Sequence, residues 1–195
     1  MAGPPELPVR GPSARIMLVR HGQTDDNVEP IRAQGFSDTP LNETGRRQAR
    51  EAAERLAAGP PVGSLWASDL SRAVDTATTI GRALALEPIL DRRLREGDRG
   101  RWEGRLFVDI ERDEPELYAA WRRAGPEFRF PGGESLGELQ ARVAAAVGEI
   151  EGRGPLPALV VCHGGPIQAM LCLKDRRGLH AFHDFRVPNL AMVAL

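Results

Sequence analysis

Two histidines occupy matching positions far apart in this chain. Arg20-His21-Gly22 ends the apolar run Ile16-Met17-Leu18-Val19, and His163-Gly164-Gly165-Pro166 ends Leu159-Val160-Val161-Cys162. An imidazole titrates near neutral pH and serves as a nucleophile, a base or an anion donor. The carboxyl ends of strands in open α/β sheets are where such groups meet ligands. Packing alone is a poor reason for two buried-looking strands each to end in histidine and glycine.

The neighbouring residue types suit a phosphoryl group, which needs positive charge and donors that stay fixed while charge moves during transfer. Arg20 adjoins His21. Arg72 is predicted in the first turn of a helix after another strand, where its guanidinium faces the same crevice. Asn27 lies in the loop after His21 and can donate an amide. The helix after Gly164-Gly165-Pro166 turns its N-terminal amides toward an anion. Together these make an anion cup with a nucleophile on its floor. An imidazole that attacks in line cannot also protonate the leaving group, so a separate acid is required. Glu96, in the loop after Pro88-Ile89-Leu90, is the first candidate, and Glu103, in Trp102-Glu103-Gly104, is the second.

Two other readings compete. His180 and His183 can share one face of a helical turn as metal ligands, but no third ligand accompanies them, and His21 and His163 lack a carboxylate at ligand spacing. The plainest reading makes the histidines core residues satisfied by the backbone, with Arg20 and Arg72 pointing away from His21.

The elements that must position these groups alternate. A strand is expected over 15–19, a loop over 25–41, and a helix from the N-cap Asn42 to the stop at Gly59, with Ala49, Ala52, Ala53 and Leu56 as its apolar face. A strand over 62–67 leads into a helix capped by Ser68 or Asp69 and running to about Leu86. A short strand at 88–90 and a charged loop over 92–104 follow. Two short helices broken at Pro115 cover 107–123. Ser135-Leu136-Gly137-Glu138 is a capping box that opens a helix to about Glu151, stopped by Gly152 and Gly154. A strand over 156–162, a helix over 167–173 and a last strand over 191–195 complete the chain. This order predicts a three-layer α/β sandwich with a mostly parallel central sheet and a short helical lid insertion over about 105–135.

Composition bounds the rest. The 195 residues fit one domain, over 15–195, and 42% hydrophobic residues supply a core. A net charge of -1 gives no global field for nucleic acid or a membrane surface. Lys174 is the only lysine, and the arginine excess reads first as composition. Residues 1–14, with Pro4, Pro5, Pro8 and Pro12 and no apolar stretch, read as a disordered leader. Cys162 and Cys172 form no disulfide framework, which places the protein in the cytoplasm. The terminal strand can pair as an edge in a homodimer.

Leu18-Val19-Arg20-His21-Gly22-Gln23-Thr24, with Asn27, resembles the signature of the histidine phosphatase superfamily, which includes the cofactor-dependent phosphoglycerate mutases. The resemblance continues in order through Gln34-Gly35, Asp38-Thr39-Pro40-Leu41-Asn42-Glu43-Thr44-Gly45, Ser68-Asp69-Leu70-Ser71-Arg72-Ala73, Leu94-Arg95-Glu96, Gly100-Arg101-Trp102-Glu103-Gly104, Pro131-Gly132-Gly133-Glu134-Ser135 and Val161-Cys162-His163-Gly164-Gly165. It implies a phosphoglycerate mutase-like fold, His21 as the phosphohistidine, and Glu96 as the group that protonates the leaving oxygen and then activates water. Substrate contacts would come from Arg20, Asn27, Gln34, Gly35, Arg72, His163 and Gly164. The implied activity is a phosphatase: a metal-independent phosphomonoesterase, without cofactor, on small phosphorylated metabolites. A phosphoglycerate mutase and an inactive phospho-ligand binding module are the alternatives. Mutases of this group carry arginine after the acid, where this chain has Gly97, and a longer basic lid. The phosphatase branch commonly has an aromatic where this chain has Arg99, and Ser or Thr where it has Cys162. The lid aromatics Phe107, Tyr118, Trp121 and Phe128 suit either a bulky leaving group or attachment of the lid to the sheet.

Overall fold

The computed structural model describes residues 15–195, so the leader expected over 1–14 lies outside the described residues. The strands are β1 (Ile16–Arg20), β2 (Ser64–Ala67), β3 (Ile89–Leu90), β4 (Ala158–Cys162) and β5 (Met192–Ala194). The helices are α1 (Glu43–Ala57), α2 (Ser71–Leu84), α3 (Phe107–Asp113), α4 (Pro115–Arg123), α5 (Leu136–Arg153) and α6 (Gly164–Cys172). The sheet order is β3-β2-β4-β1-β5, with every pairing parallel except that of β5 with β1.

Side chains alternate across the strands and feed two cores. Ile16, Leu18, Ala158, Val160 and Cys162 pack with α5 and α6, while Val19, Leu65, Ala67, Leu159 and Val161 pack with α1 and α2. Helices therefore cover both faces, which is the expected three-layer arrangement. β1 and β4 are neighbours in parallel register, Arg20 beside Cys162. The chain leaves β1 toward α1 on one face and β4 toward α6 on the other. Such a divergence opens a crevice at the strands' carboxyl ends.

Asn42 caps α1 as expected, its side chain accepting from the Gly45 N–H at 2.8 Å. The cap of α2 differs. Ser68 Oγ accepts from the Leu70 N–H and Asp69 pairs with Arg95, while Asp38 Oδ1 reaches across to take the Ser71 N–H at 2.7 Å. A carboxylate from a distant loop thus does what a local side chain was expected to do. α6 starts at Gly164, three residues earlier than the expected Ile167, with His163 as its N-cap. Pro166 is compatible with that start, because first-turn N–H groups have no partner within the helix. Gly152 lies inside α5, which ends at Gly154.

The helices over 107–123 break at Pro115 as expected. Their aromatics pack on one another: Phe107 stacks on Trp121 with ring centroids 5.0 Å apart, and Trp102 meets Trp121 edge-on at 5.9 Å. Trp121 and Phe128 join the core cluster of α5 and α6, so they attach the lid to the sheet.

The capping box on α5 is complete, with Ser135 Oγ accepting from the Glu138 N–H and Glu138 Oε2 from the Ser135 N–H. Ser135→Ala is expected to cost about 1 kcal/mol, read as a lower denaturant midpoint at unchanged m value.

Candidate active site

His21 and His163 meet across the crevice. The His21 N–H donates to the Cys162 carbonyl at 3.0 Å, and the two rings lie 5.0 Å apart at 61°. Both are buried, at 1% and 0% exposure. His21 Nδ1 sits 2.7 Å from the Gly22 carbonyl. A carbonyl only accepts, so Nδ1 carries the proton and Nε2 keeps a lone pair. Thr76 fixes this arrangement: its hydroxyl accepts from the Gly22 N–H at 3.1 Å and donates to the Arg72 carbonyl at 2.7 Å. Burial first, then the charges of Arg20 and Arg72, holds the His21 imidazole well below its ordinary pKa. His163 is held down in the same way by burial and Arg72. Its Nε2 is 2.8 Å from Ser68 Oγ, and its Nδ1 is buried without a partner.

Arg20 and Arg72 bear on His21 and do not point away from it, as the core-residue reading required. Arg20 Nη1 donates to the Val187 carbonyl at 2.6 Å, and Arg72 Nη1 and Nη2 donate to the Ser37 and Gly35 carbonyls at 2.8 and 2.7 Å. Among the described residues, neither Nε has a partner although both are buried. Burial lowers Arg72 to about 10 and lowers Arg20 as well. Buried donors without acceptors are uncommon, and two of them beside one imidazole, with the unpartnered His163 Nδ1 nearby, suit an anion.

Glu96 faces this cup at 7% exposure. Its Oε1 accepts from the Gly97 N–H at 2.8 Å, and both oxygens lie within 3.2 Å of the Gly165 N. A Cβ on Gly165 would stand 2.2 Å from Glu96 Oε1, so a larger residue here would displace the carboxylate from this position. A Cβ on Gly164 would touch both Arg20 Nε and Glu96 Oε2, at 3.7 and 3.9 Å, which locates Gly164 between them. Glu103 is not available as an acid. Its Oε1 accepts from the Phe36 N–H and its Oε2 from the Ser37 N–H, at 2.7 and 2.6 Å, which braces the loop whose carbonyls hold Arg72. In the same loop, a Cβ on Gly35 would stand 2.3 Å from Glu103 Oε1.

Asn27 and Gln34 brace the loop after His21. Asn27 Oδ1 accepts from the Thr24 N–H and from Asn189 Nδ2, and Gln34 Nε2 donates to Thr24 and Asp26. Asn189 also donates to the His21 carbonyl at 3.0 Å. Arg142 donates to the carbonyls of Arg93, Arg95 and Glu96 while Glu134 grips its guanidinium at 2.5 and 2.9 Å, so this pair presents Glu96. The roles of Ser68, Arg142 and Asn189 were missed from sequence. Apart from the Arg142–Glu134 pair, eight positions apart, their partners are backbone atoms or residues more than forty positions away, and no spacing rule reports such contacts. His183 Nε2 donates to the Trp121 carbonyl at 2.8 Å, a structural role, and the described residues hold no cluster of three or more His, Cys, Asp or Glu that could take a metal ion. Burial raises the Cys162 thiol, consistent with packing.

The model of the histidine phosphatase superfamily (branch 1) matches residues 16–195. The chain belongs to that superfamily. It is 39% identical over 165 residues to the glucosyl-3-phosphoglycerate phosphatase of Mycobacterium tuberculosis, covering 80% of this chain and 73% of the relative. It is equally similar to part of the bifunctional protein Rv2228c of the same species, across 84% of this chain but only 45% of that longer relative. The solved mycobacterial glucosyl-3-phosphoglycerate phosphatase with VO3 superposes with a TM-score of 0.82 at 35% identity, over 92% of this chain and 91% of that one.

Three imidazoles, those of His21, His163 and His183, are held below their ordinary 6.5 by burial. The unfolded chain therefore takes up more protons as pH falls through 6.5. Stability present above that pH is lost below it, by up to about 1.4 kcal/mol per pH unit per histidine. The melting temperature is expected to drop between pH 7.5 and 5.5, and to drop less in His21→Ala; an equal drop in both proteins would contradict the burial argument for His21.

Proposed function

We propose that the protein hydrolyses phosphate monoesters of small metabolites through a phosphohistidine on His21, without a metal ion. The observation that carries this reading is the Nδ1–H tautomer of His21 beside two buried, unpartnered donors, Arg20 Nε and Arg72 Nε, and the unpartnered His163 Nδ1. His21 Nε2 attacks phosphorus while those donors take the non-bridging oxygens and the α6 N-terminus adds its amides. Glu96 gives a proton to the leaving oxygen on the far side as the P–O bond breaks. It then takes a proton from water, which attacks the phosphohistidine and releases inorganic phosphate and free His21. Ser68 donates into His163 Nε2, which leaves the His163 proton on Nδ1, facing the phosphoryl group.

Hydrolysis is favoured over transfer by Gly97 in place of the arginine of the mutases and by a short lid, which admits water. The phosphatase activity named for the mycobacterial relative supports the same choice. The two buried free cysteines are consistent with a cytoplasmic setting. No helix among the described residues is long and apolar enough to cross a membrane.

Two variants test the chemistry. His21→Ala is expected to lower kcat by at least about a hundredfold and to leave no acid-labile phosphoprotein on rapid mixing with a phosphoester. Retention of both would remove His21 from the reaction. Glu96→Gln is expected to slow alkyl phosphates at least about tenfold more than p-nitrophenyl phosphate, because a good leaving group needs little protonation. With 3-phosphoglycerate, phosphate release is expected to outpace formation of the 2-isomer; the reverse would make the protein a mutase.

A further inference from the structure

Arg99 stands beside the phosphoryl cup and takes no part in the reaction just described. Its Nε donates to the Gln34 carbonyl at 3.0 Å, and its Nη1 is shielded from solvent without a partner. The guanidinium lies over the rings of Phe130, Phe107 and Trp121, 5.0, 5.7 and 5.9 Å from their centroids. Burial lowers it, and its charge bears on Arg20 as Glu96's bears on it, so it sits between the cup and the lid aromatics. The charges of Glu96 and Glu103 bear on it, but no side-chain hydrogen bond joins its guanidinium to either carboxylate among the described residues, and the Glu103 oxygens accept the Phe36 and Ser37 N–H groups. Aromatic faces stabilise a cation but leave its in-plane donors unused. A half-buried guanidinium with a buried, orphaned donor calls for an anion, and the phosphoryl group already has Arg20 and Arg72.

We infer that Arg99 is a specificity residue that pairs with a second anionic group on the leaving alcohol, a carboxylate in its simplest form. This inference rests on the phosphatase reading of the same site and narrows its substrates to doubly anionic esters. The planar fork of arginine suits a carboxylate, and the aromatic rings hold that fork in one orientation before the ligand arrives.

A matched pair of esters isolates the contact. 3-Phosphoglycerate and glycerol 3-phosphate differ by a carboxylate in place of a hydroxymethyl group. The wild-type protein is expected to favour 3-phosphoglycerate at least about tenfold in kcat/KM, mainly through KM, and Arg99→Met to abolish that preference. Arg99→Lys, which keeps the charge without the fork, is expected to retain part of it, and serves if the Met variant does not fold. A wild-type ratio near one overturns the inference. So does an equal loss on both esters in the variants, which would mean that Arg99 only supports the cup or binds the phosphoryl group itself. If neither these esters nor p-nitrophenyl phosphate releases phosphate, the hydrolase reading fails separately. The pairing is then read by calorimetric binding of the two esters to His21→Ala with and without Arg99→Met, where equal affinities overturn it.

Discussion

A neutral imidazole is held against two guanidinium groups that no carboxylate among the described residues pairs with. That arrangement is expensive, since the effective penalty for an enclosed charge in a folded protein is several kcal/mol per ion. It persists because backbone carbonyls of Val187, Gly35 and Ser37 take the outer N–H groups and leave the inner ones free. Burial first, and then these same charges, hold the His21 imidazole below its ordinary pKa, so the electrostatics that favour an anion also favour a free lone pair on the ring. Under the proposed function, a bound phosphoryl group would relieve what folding tolerates.

The surrounding structure serves this arrangement in layers. Parallel register between β1 and β4 brings the two histidines together. Thr76 and the Gly22 carbonyl set the tautomer on one side, and Ser68 addresses the second imidazole on the other. Glu103 and Arg142 use their charges on backbone groups, not on each other or on substrate, and so hold the loops that carry Arg72's acceptors and Glu96. Polar side chains of similar composition therefore divide into those that meet the ligand and those that fix the backbone.

Much of this was legible in the sequence because it is local. Apolar runs ending in His-Gly announced β1 and β4, Asn42 and Ser135 announced their helices, and Pro115 announced the break between α3 and α4. What escaped is non-local. The cap of α2 comes from Asp38, more than thirty residues away, and α6 starts at Gly164 although the His163 side chain at its N-cap position makes no capping bond. Glu103 had the right type and region for an acid, and only its hydrogen bonds to Phe36 and Ser37 reveal it as a brace. Arg99 stood out as a departure from a family pattern, but its place among the aromatic rings could not be read from spacing.

The partners of β1 are unusually spread along the polypeptide. Arg20 is fastened by Val187 across 167 positions, and the His21 carbonyl by Asn189 across 168. A folding intermediate that had built α1, α2 and the central strands would already bury much of its apolar surface while the Arg20 side chain and the His21 carbonyl still lacked Val187 and Asn189. Chemical competence should therefore trail the gain of secondary structure, and turnover would report completion of the native state more faithfully than any spectroscopic measure of helix or sheet.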